Sequence, residues 1–228
     1  MTRYAAVLPA RAGSKGIPGK NLKAIAGKPL LAWSIETALA CGRLSDVVVS
    51  SDGDELLALA GRWGAAALRR PAALATDAAA TEPTLVHAVQ WLESVGRRPD
   101  AVVLLQPTSP LRRAGTLDKA LDLFEKSGAD SLLTVCESHA FFWKNPAAPE
   151  ALYDFRHRPR RQDIPAADRW YRENGSIYVT RTDVLLRENN RLGGRIALLP
   201  VSEEESVEID SEADFAIVEK LLERERPS

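Results

Sequence analysis

Leu8-Pro-Ala-Arg-Ala-Gly-Ser-Lys-Gly-Ile-Pro-Gly-Lys-Asn21 is the stretch around which the chain is organised. The apolar run that leads into it, residues 4–8, reads as a buried first strand. The loop that follows carries Gly13, Gly16 and Gly19, interleaved with Arg11, Lys15 and Lys20. Glycines let the backbone take positive φ and turn its N–H groups towards a ligand, and the cations add long-range attraction for an anion. The first 35 residues hold six Lys or Arg (Arg3, Arg11, Lys15, Lys20, Lys23, Lys28) and no acid, in a chain of net charge -1. So local an imbalance points to a bound polyanion, most simply a nucleoside triphosphate. Two familiar phosphate loops fail on spacing. A Walker A loop needs Gly five residues before the Gly-Lys pair and Ser or Thr after it, where this chain has Ser14 and Asn21. The dinucleotide fingerprint Gly-x-Gly-x-x-Gly does not match glycines spaced three apart. The bland alternative is a basic surface turn.

Working outward, residues 29–41 place apolar side chains at helical spacing, and Val47-Val48-Val49 reads as a strand buried on both faces. Strand, loop, helix, strand, helix predicts a doubly wound, Rossmann-like, mostly parallel sheet, with ligands beyond the carboxyl ends of its strands. Further strands are expected at 65–68, 100–105, 131–136, 174–179 and, as a last core strand, 196–199, with helices at 82–95, to 127, at 181–188 and at 211–224. Gln106-Pro-Thr-Ser-Pro-Leu-Arg112 follows one of those strands, its polar side chains held between two prolines. From about residue 138 to 172 the pattern breaks into aromatics, prolines and arginines without a clear period. A structureless loop of that length is unusual inside a domain, so this is read as a lobe inserted into a single domain spanning residues 1–228.

Ten carboxylates fall between Glu203 and Glu225. Solvation accounts for most of them, the turn Glu203-Glu204-Glu205 included. Glu208 and Asp210 are two apart, on one face of an extended segment with Val207 and Ile209 turned away. Such a pair suits a hard divalent cation that bridges phosphate oxygens, and equally suits an exposed edge strand.

Composition fits a globular protein, at 45% hydrophobic and 27% charged residues. Apolar runs of about 18 residues, as a membrane span needs, are absent, and because Met1-Thr-Arg-Tyr leads directly into the first strand no signal peptide is expected. Cys41 and Cys136, each among apolar residues, read as buried thiols. The expected compartment is the cytoplasm. With the cations concentrated in one loop, a nucleic-acid partner is disfavoured.

The ordered set Pro9-Ala-Arg-Ala-Gly-Ser-Lys-Gly-Ile-Pro-Gly-Lys-Asn21, Val49-Ser-Ser-Asp52, Arg70-Pro71, Leu104-Leu-Gln-Pro-Thr-Ser-Pro-Leu-Arg112, Arg161-Gln-Asp-Ile-Pro165, Asn174-Gly-Ser-Ile-Tyr178 and Glu208-Ile-Asp-Ser211 resembles the CMP-sialic acid synthetases, the acylneuraminate cytidylyltransferases, in the broad sense that includes enzymes for related nine-carbon acids. The resemblance implies that Arg11, Lys15 and Lys20, with the backbone of Ala12, Gly13 and Ser14, hold the triphosphate of CTP, and that Asn21 and Arg70 contact the cytidine. It implies a sugar-acid pocket lined by Gln106, Lys144, Arg161, Gln162 and Tyr178, with Thr108, Ser109 and Asn174 at matching positions. Asp210 would ligate Mg²⁺, with Glu208 beside it, and the inserted lobe would be the dimerisation lobe of a homodimer. The implied catalytic set is Arg11, Lys15, Lys20 and Asp210.

Two departures stand out. The family commonly has Asp-Ile-Asp where this chain has Glu208-Ile209-Asp210, and a short insertion, Ala167-Asp-Arg-Trp170, precedes Asn174. The alternatives are a nucleotidyltransferase for 3-deoxy-octulosonate or molybdopterin, or a non-catalytic nucleotide-sugar binder.

Overall fold

Strands that are apolar on both faces are stable only where helices cover both sides of the sheet, and that is the arrangement found. The computed structural model describes residues 2–13 and 16–224. Strands β1 (Tyr4–Pro9), β2 (Leu44–Ser51), β3 (Ala66–Arg69), β4 (Ala101–Leu105), β5 (Ser131–Ser138), β6 (Trp170–Arg181) and β7 (Ile196–Val201) form one sheet in the order β7-β5-β6-β4-β1-β2-β3. Neighbours are parallel except β6, which runs antiparallel to both β4 and β5. Helices α1 (Leu30–Ala40), α2 (Asp54–Arg62) and α4 (Thr116–Ser127) pack on one face. Helices α3 (Glu82–Ser94) and α5 (Thr182–Glu188) pack on the other. A third apolar cluster joins Ile17 of the glycine loop, Leu111, Ile209 and the buried stripe Phe215, Val218 and Leu222 of α6 (Glu212–Arg224).

Three details depart from the sequence reading. The 196–199 run is not a core strand: β7 is the sheet's edge, with Ile196 and Leu198 about half exposed. Glu205 is not solvated. It is buried, and its carboxylate accepts from Thr116 Oγ1 (2.6 Å) and the Arg113 N–H (3.2 Å) at the start of α4, whose dipole favours an anion there. The 206–210 segment is irregular, following a short 3-10 turn, although Ile209 is turned inward as expected.

One bulge matters for the site. Along β6, Glu173 pairs with Val135 and Tyr178 with Leu133, so residues 174–177 stand opposite Thr134 alone. Arg112 holds this bulge against the turn after β4. Its guanidinium donates to the Ser176 carbonyl from Nε (3.2 Å) and Nη2 (2.7 Å), to the Gln106 carbonyl (2.7 Å) and to Ser34 Oγ (2.9 Å). Burial pushes its pKa down to about 9, which leaves it charged at neutral pH. Arg112→Ala leaves both carbonyls without this donor, and urea denaturation is expected to show a loss of about 2–4 kcal/mol. Arg112→Lys is expected to recover only a small part, because an ammonium lacks the planar fork of donors.

Candidate active site

Each motif-bearing turn of the parallel half emerges at the same end of the sheet. β1 ends in the glycine loop, β2 at Ser50-Ser51, β3 at Arg69-Arg70 and β4 at Gln106. β2 lies on one side of β1 and β4 on the other, which opens a crevice beyond their carboxyl ends. A cavity of about 400 Å³ sits there, walled by Arg11, Gly16, Lys20, Asn21, Arg70, Gln106, Thr108 and Asp210, with residues 74–84 supplying another wall.

The glycine loop is shaped by its neighbours. Asp52 Oδ1 accepts the Ala12 N–H at 2.9 Å, so that amide is already committed and is not free for phosphate. Asn21 Nδ2 donates to the Arg11 carbonyl at 3.3 Å. Gly16 is required by close approach: a Cβ there would meet the Asp210 carbonyl oxygen at 2.5 Å. Arg11 Nη1 reaches Asp77 Oδ1 at 2.7 Å, both side chains partly exposed. A pair of this kind is worth at most about 1 kcal/mol, so a phosphate can take the place of the carboxylate. Lys20 Nζ donates to the Ile209 carbonyl at 2.5 Å and stands 3.8 Å from Asp210 Oδ1. Burial lowers its pKa, and the Asp210 charge opposes that shift. Arg70 is buried, with hydrogen bonds to the Ser50 carbonyl (2.5 Å) and hydroxyl (3.3 Å), and burial lowers its pKa as well.

Lys23 and Lys28 are spent on structure. Lys23 pairs with Glu212 at 2.6 Å and lies over the Phe215 ring, and Lys28 pairs with Glu36 over the Trp33 ring. Ser14 and Lys15 lie outside the described residues.

Glu208 is partly buried, and among the described residues no hydrogen bond or ion pair reaches its carboxylate. Burial raises its pKa, and the neighbouring Asp210 adds to the rise. Asp210 is open to the cavity, its backbone N–H held by Asp214 (3.1 Å), which forms a reciprocal cap with Ser211 at the start of α6. Two hard oxygen donors, one of them unpartnered and destabilised as an anion, fit Mg²⁺ with the remaining positions left to phosphate and water. No cluster of three or more His, Cys, Asp or Glu with metal-binding geometry occurs among the described residues.

The other expected residues divide. Gln106 and Thr108 line the cavity. Gly13 is exposed. Ser109 and Asn174 are fully buried, and Ser109 Oγ donates to the Asn174 carbonyl at 3.5 Å. The Tyr178 hydroxyl donates to Glu173, and burial followed by this carboxylate pushes its pKa up. Lys144, Arg161 and Gln162 are exposed on the inserted lobe and are not in the wall of this cavity. Sequence reasoning read Asp52 only as the end of a motif and Thr81 only as a helix start, and gave no site role to them or to Asp77 and Thr84. Thr84 lines the cavity, and among the described residues its buried hydroxyl has no partner. Only Asp52 carried a signal, its place directly after a β-branched strand.

A mostly parallel sheet whose carboxyl ends open on a basic glycine loop and Asp210 has the arrangement of a nucleotide-binding α/β protein. The chain belongs to the cytidylyltransferase family: residues 5–211 match the family described as Cytidylyltransferase. It is 33% identical over 230 residues to the CMP-N,N'-diacetyllegionaminic acid synthase of Legionella pneumophila, covering 97% of each chain. It is 34% identical over 225 residues to the N-acylneuraminate cytidylyltransferase of Oncorhynchus mykiss, covering 96% of this chain and 50% of that one. The pseudaminic acid cytidylyltransferase of Campylobacter jejuni is 32% identical over 189 residues, 80% of each. The chain thus spans about half the length of the fish relatives and nearly all of the Legionella one. Its fold is shared with a solved CMP:2-keto-3-deoxy-manno-octonic acid synthetase complexed with CTP, at TM-score 0.75 and 21% identity over 99% of this chain and 100% of that one. The family read from the motifs stands, and the octulosonate alternative rests on fold alone.

Gly175, with φ +64, offers a test of the site's packing: a Cβ there would meet Glu208 Oε1 at 2.5 Å and Gln106 Oε1 at 2.8 Å. Gly175→Ala is expected to lower the unfolding free energy by about 1–3 kcal/mol from the backbone alone. At Gly13 nothing among the described residues lies within 4 Å of an added Cβ, and Gly13→Ala is expected to change stability by no more than about 0.5 kcal/mol in the same urea titration.

Proposed function

We propose that this protein is a cytidylyltransferase that activates a nine-carbon 2-keto sugar acid of the sialic type with CTP, giving the CMP-sugar and pyrophosphate. The observation that carries the reading is the convergence of Arg11, Lys20, Arg70, Gln106 and Asp210 on one cavity in a chain of this family. Its relatives named for N-acylneuraminate, legionaminic and pseudaminic acids support the substrate class.

The anomeric hydroxyl of the acid attacks the α-phosphorus of CTP and pyrophosphate leaves, a reaction governed by positioning and charge. Arg11 exchanges Asp77 for phosphate oxygens, and Lys15 and Lys20 complete the basic cradle. Arg70 directs its uncommitted N–H groups at the cytidine from a site where water does not compete, with Asn21 beside it. Gln106 and Thr108 face the acid. Asp210 and Glu208 hold Mg²⁺, which when bound supplies positive charge to the triphosphate. We place the reaction in the cytoplasm, where CTP is available and free buried thiols such as Cys41 and Cys136 are at home.

Lys144, Arg161 and Gln162 meet a sugar acid when the lobe of one protomer covers the cavity of its partner. Phe142, Trp143, Phe155 and Trp170 support that reading, since each is roughly half exposed on the lobe, at 47%, 52%, 54% and 61%. Sedimentation is then expected to give a species of twice 24.9 kDa. Trp143→Asp with Phe155→Asp is expected to yield a folded monomer without turnover.

Pyrophosphate release from CTP and Mg²⁺ is the decisive assay, with sialic, legionaminic and pseudaminic acids and 3-deoxy-octulosonate each offered separately. Release with one nine-carbon acid, and none with UTP or ATP, is expected. Asp210→Ala is expected to lower kcat by about a hundredfold or more while CTP still binds. Release with the octulosonate alone, or with none of the acids, overturns the proposal.

A further inference from the structure

The Asn174 side chain is fully buried and both ends of its amide are occupied. Oδ1 accepts from Thr134 Oγ1 at 2.7 Å and from the Ser176 N–H at 3.2 Å, and Nδ2 donates to Ser206 Oγ at 2.9 Å. Ser206, itself 1% exposed, donates its hydroxyl hydrogen bond to the Ser202 carbonyl at 2.9 Å. The result is a polar strut from the middle of the sheet to the segment that carries Glu208 two residues later and Asp210 four residues later. The next residue in the bulge, Gly175, presents a bare Cα where the Glu208 carboxylate lies. One Nδ2 hydrogen is left over, but the side chain is fully buried and outside the cavity wall, so it presents no group to a sugar there.

We infer that Asn174 is a positioning residue for the carboxylate pair: the Thr134–Asn174–Ser206 strut sets the height of Glu208 and Asp210 over the glycine loop, and through it their affinity for a divalent cation. The inference rests on the reading of that pair as the Mg²⁺ site. It assigns the asparagine of the Asn174-Gly175 bulge to the metal side of the reaction, although sequence position suggests the sugar side. Residues that orient metal ligands from behind typically change metal affinity by about 10–100-fold when removed.

The test is a titration of the 228-residue chain with Mn²⁺ alone, followed by electron paramagnetic resonance, alongside pyrophosphate release as a function of Mg²⁺. Asn174→Ala and Ser206→Ala are each expected to weaken Mn²⁺ binding at least about tenfold and to raise the Mg²⁺ needed for half-maximal turnover in proportion. KM for the sugar acid at saturating Mg²⁺ is expected to stay within about twofold in both. Ser206→Ala keeps the test valid should the Asn174 variant fail to fold, because Ser206 is sealed from the cavity and has no route to the sugar. Wild-type Mn²⁺ affinity in Ser206→Ala overturns the strut. Unchanged Mn²⁺ affinity in Asn174→Ala with a raised KM for the acid overturns it in favour of a sugar contact. A wild-type protein that binds no Mn²⁺ removes the metal site and this inference together, whereas wild-type binding with unaffected variants removes this inference alone.

Discussion

Ile209 is where the beginning, the middle and the end of the chain are tied together. Its N–H donates to the Thr108 carbonyl at 2.9 Å, its carbonyl accepts Lys20 Nζ, and its side chain is fully buried among Ile17, Leu111 and Phe215. The bond to Lys20 spans 189 residues of sequence. A largely buried ammonium needs an acceptor, and the backbone carbonyl between two acidic residues supplies one in an electrostatically favourable place. Remove this knot and the glycine loop loses its lid of apolar contacts, while the carboxylates lose their fixed distance from the basic loop.

Donor accounting separates structural charge from working charge. Arg112 and Arg70 are about equally buried, and neither has a carboxylate in hydrogen-bond contact among the described residues. Arg112 spends its fork on two carbonyls and a hydroxyl, which lie in a turn, a strand and a helix, so it is a fastening. Arg70 spends only one edge, on Ser50, and turns towards a cavity with donors to spare. A desolvated cation with unspent donors is costly in the empty protein and favourable once an acceptor arrives. The same distinction divides the basic N-terminal stretch, where Lys23 and Lys28 hold helices and aromatic rings while Arg11 and Lys20 border the cavity.

Much of this was legible in the sequence because it depends on local periodicity. The uninterrupted run Ala101–Leu105 reads as a strand covered on both sides, and the loop after residues 4–8 shows its positive charge by composition. The motif order brought Arg70, Gln106, Thr108 and Asp210 to one family, and the fold brings them to one cavity. What escaped reading is what depends on contacts between distant turns. Glu205 looks like any acid in a polar run until α4 presents its N-terminus. Ser109 and Asn174 carry the groups expected of ligand contacts, yet tertiary packing turned them inward. Asp52 and Asp77 show their partners, Ala12 and Arg11, only once the loops are closed.

The placement of Ile209 has a consequence for the order in which the protein becomes competent during synthesis. The sheet is complete at Val201, so most of the core can assemble while the ribosome still holds the rest of the chain. Until residues 209–222 emerge, however, Lys20 lacks its acceptor, and Ile17 and Leu30 lack the helix that covers them. The nascent sheet therefore exists for a time with an open apolar patch next to a cluster of cations. Long-range closure of this kind is the slow class of folding event, and here it coincides with the step that delivers Asp210 to the cavity.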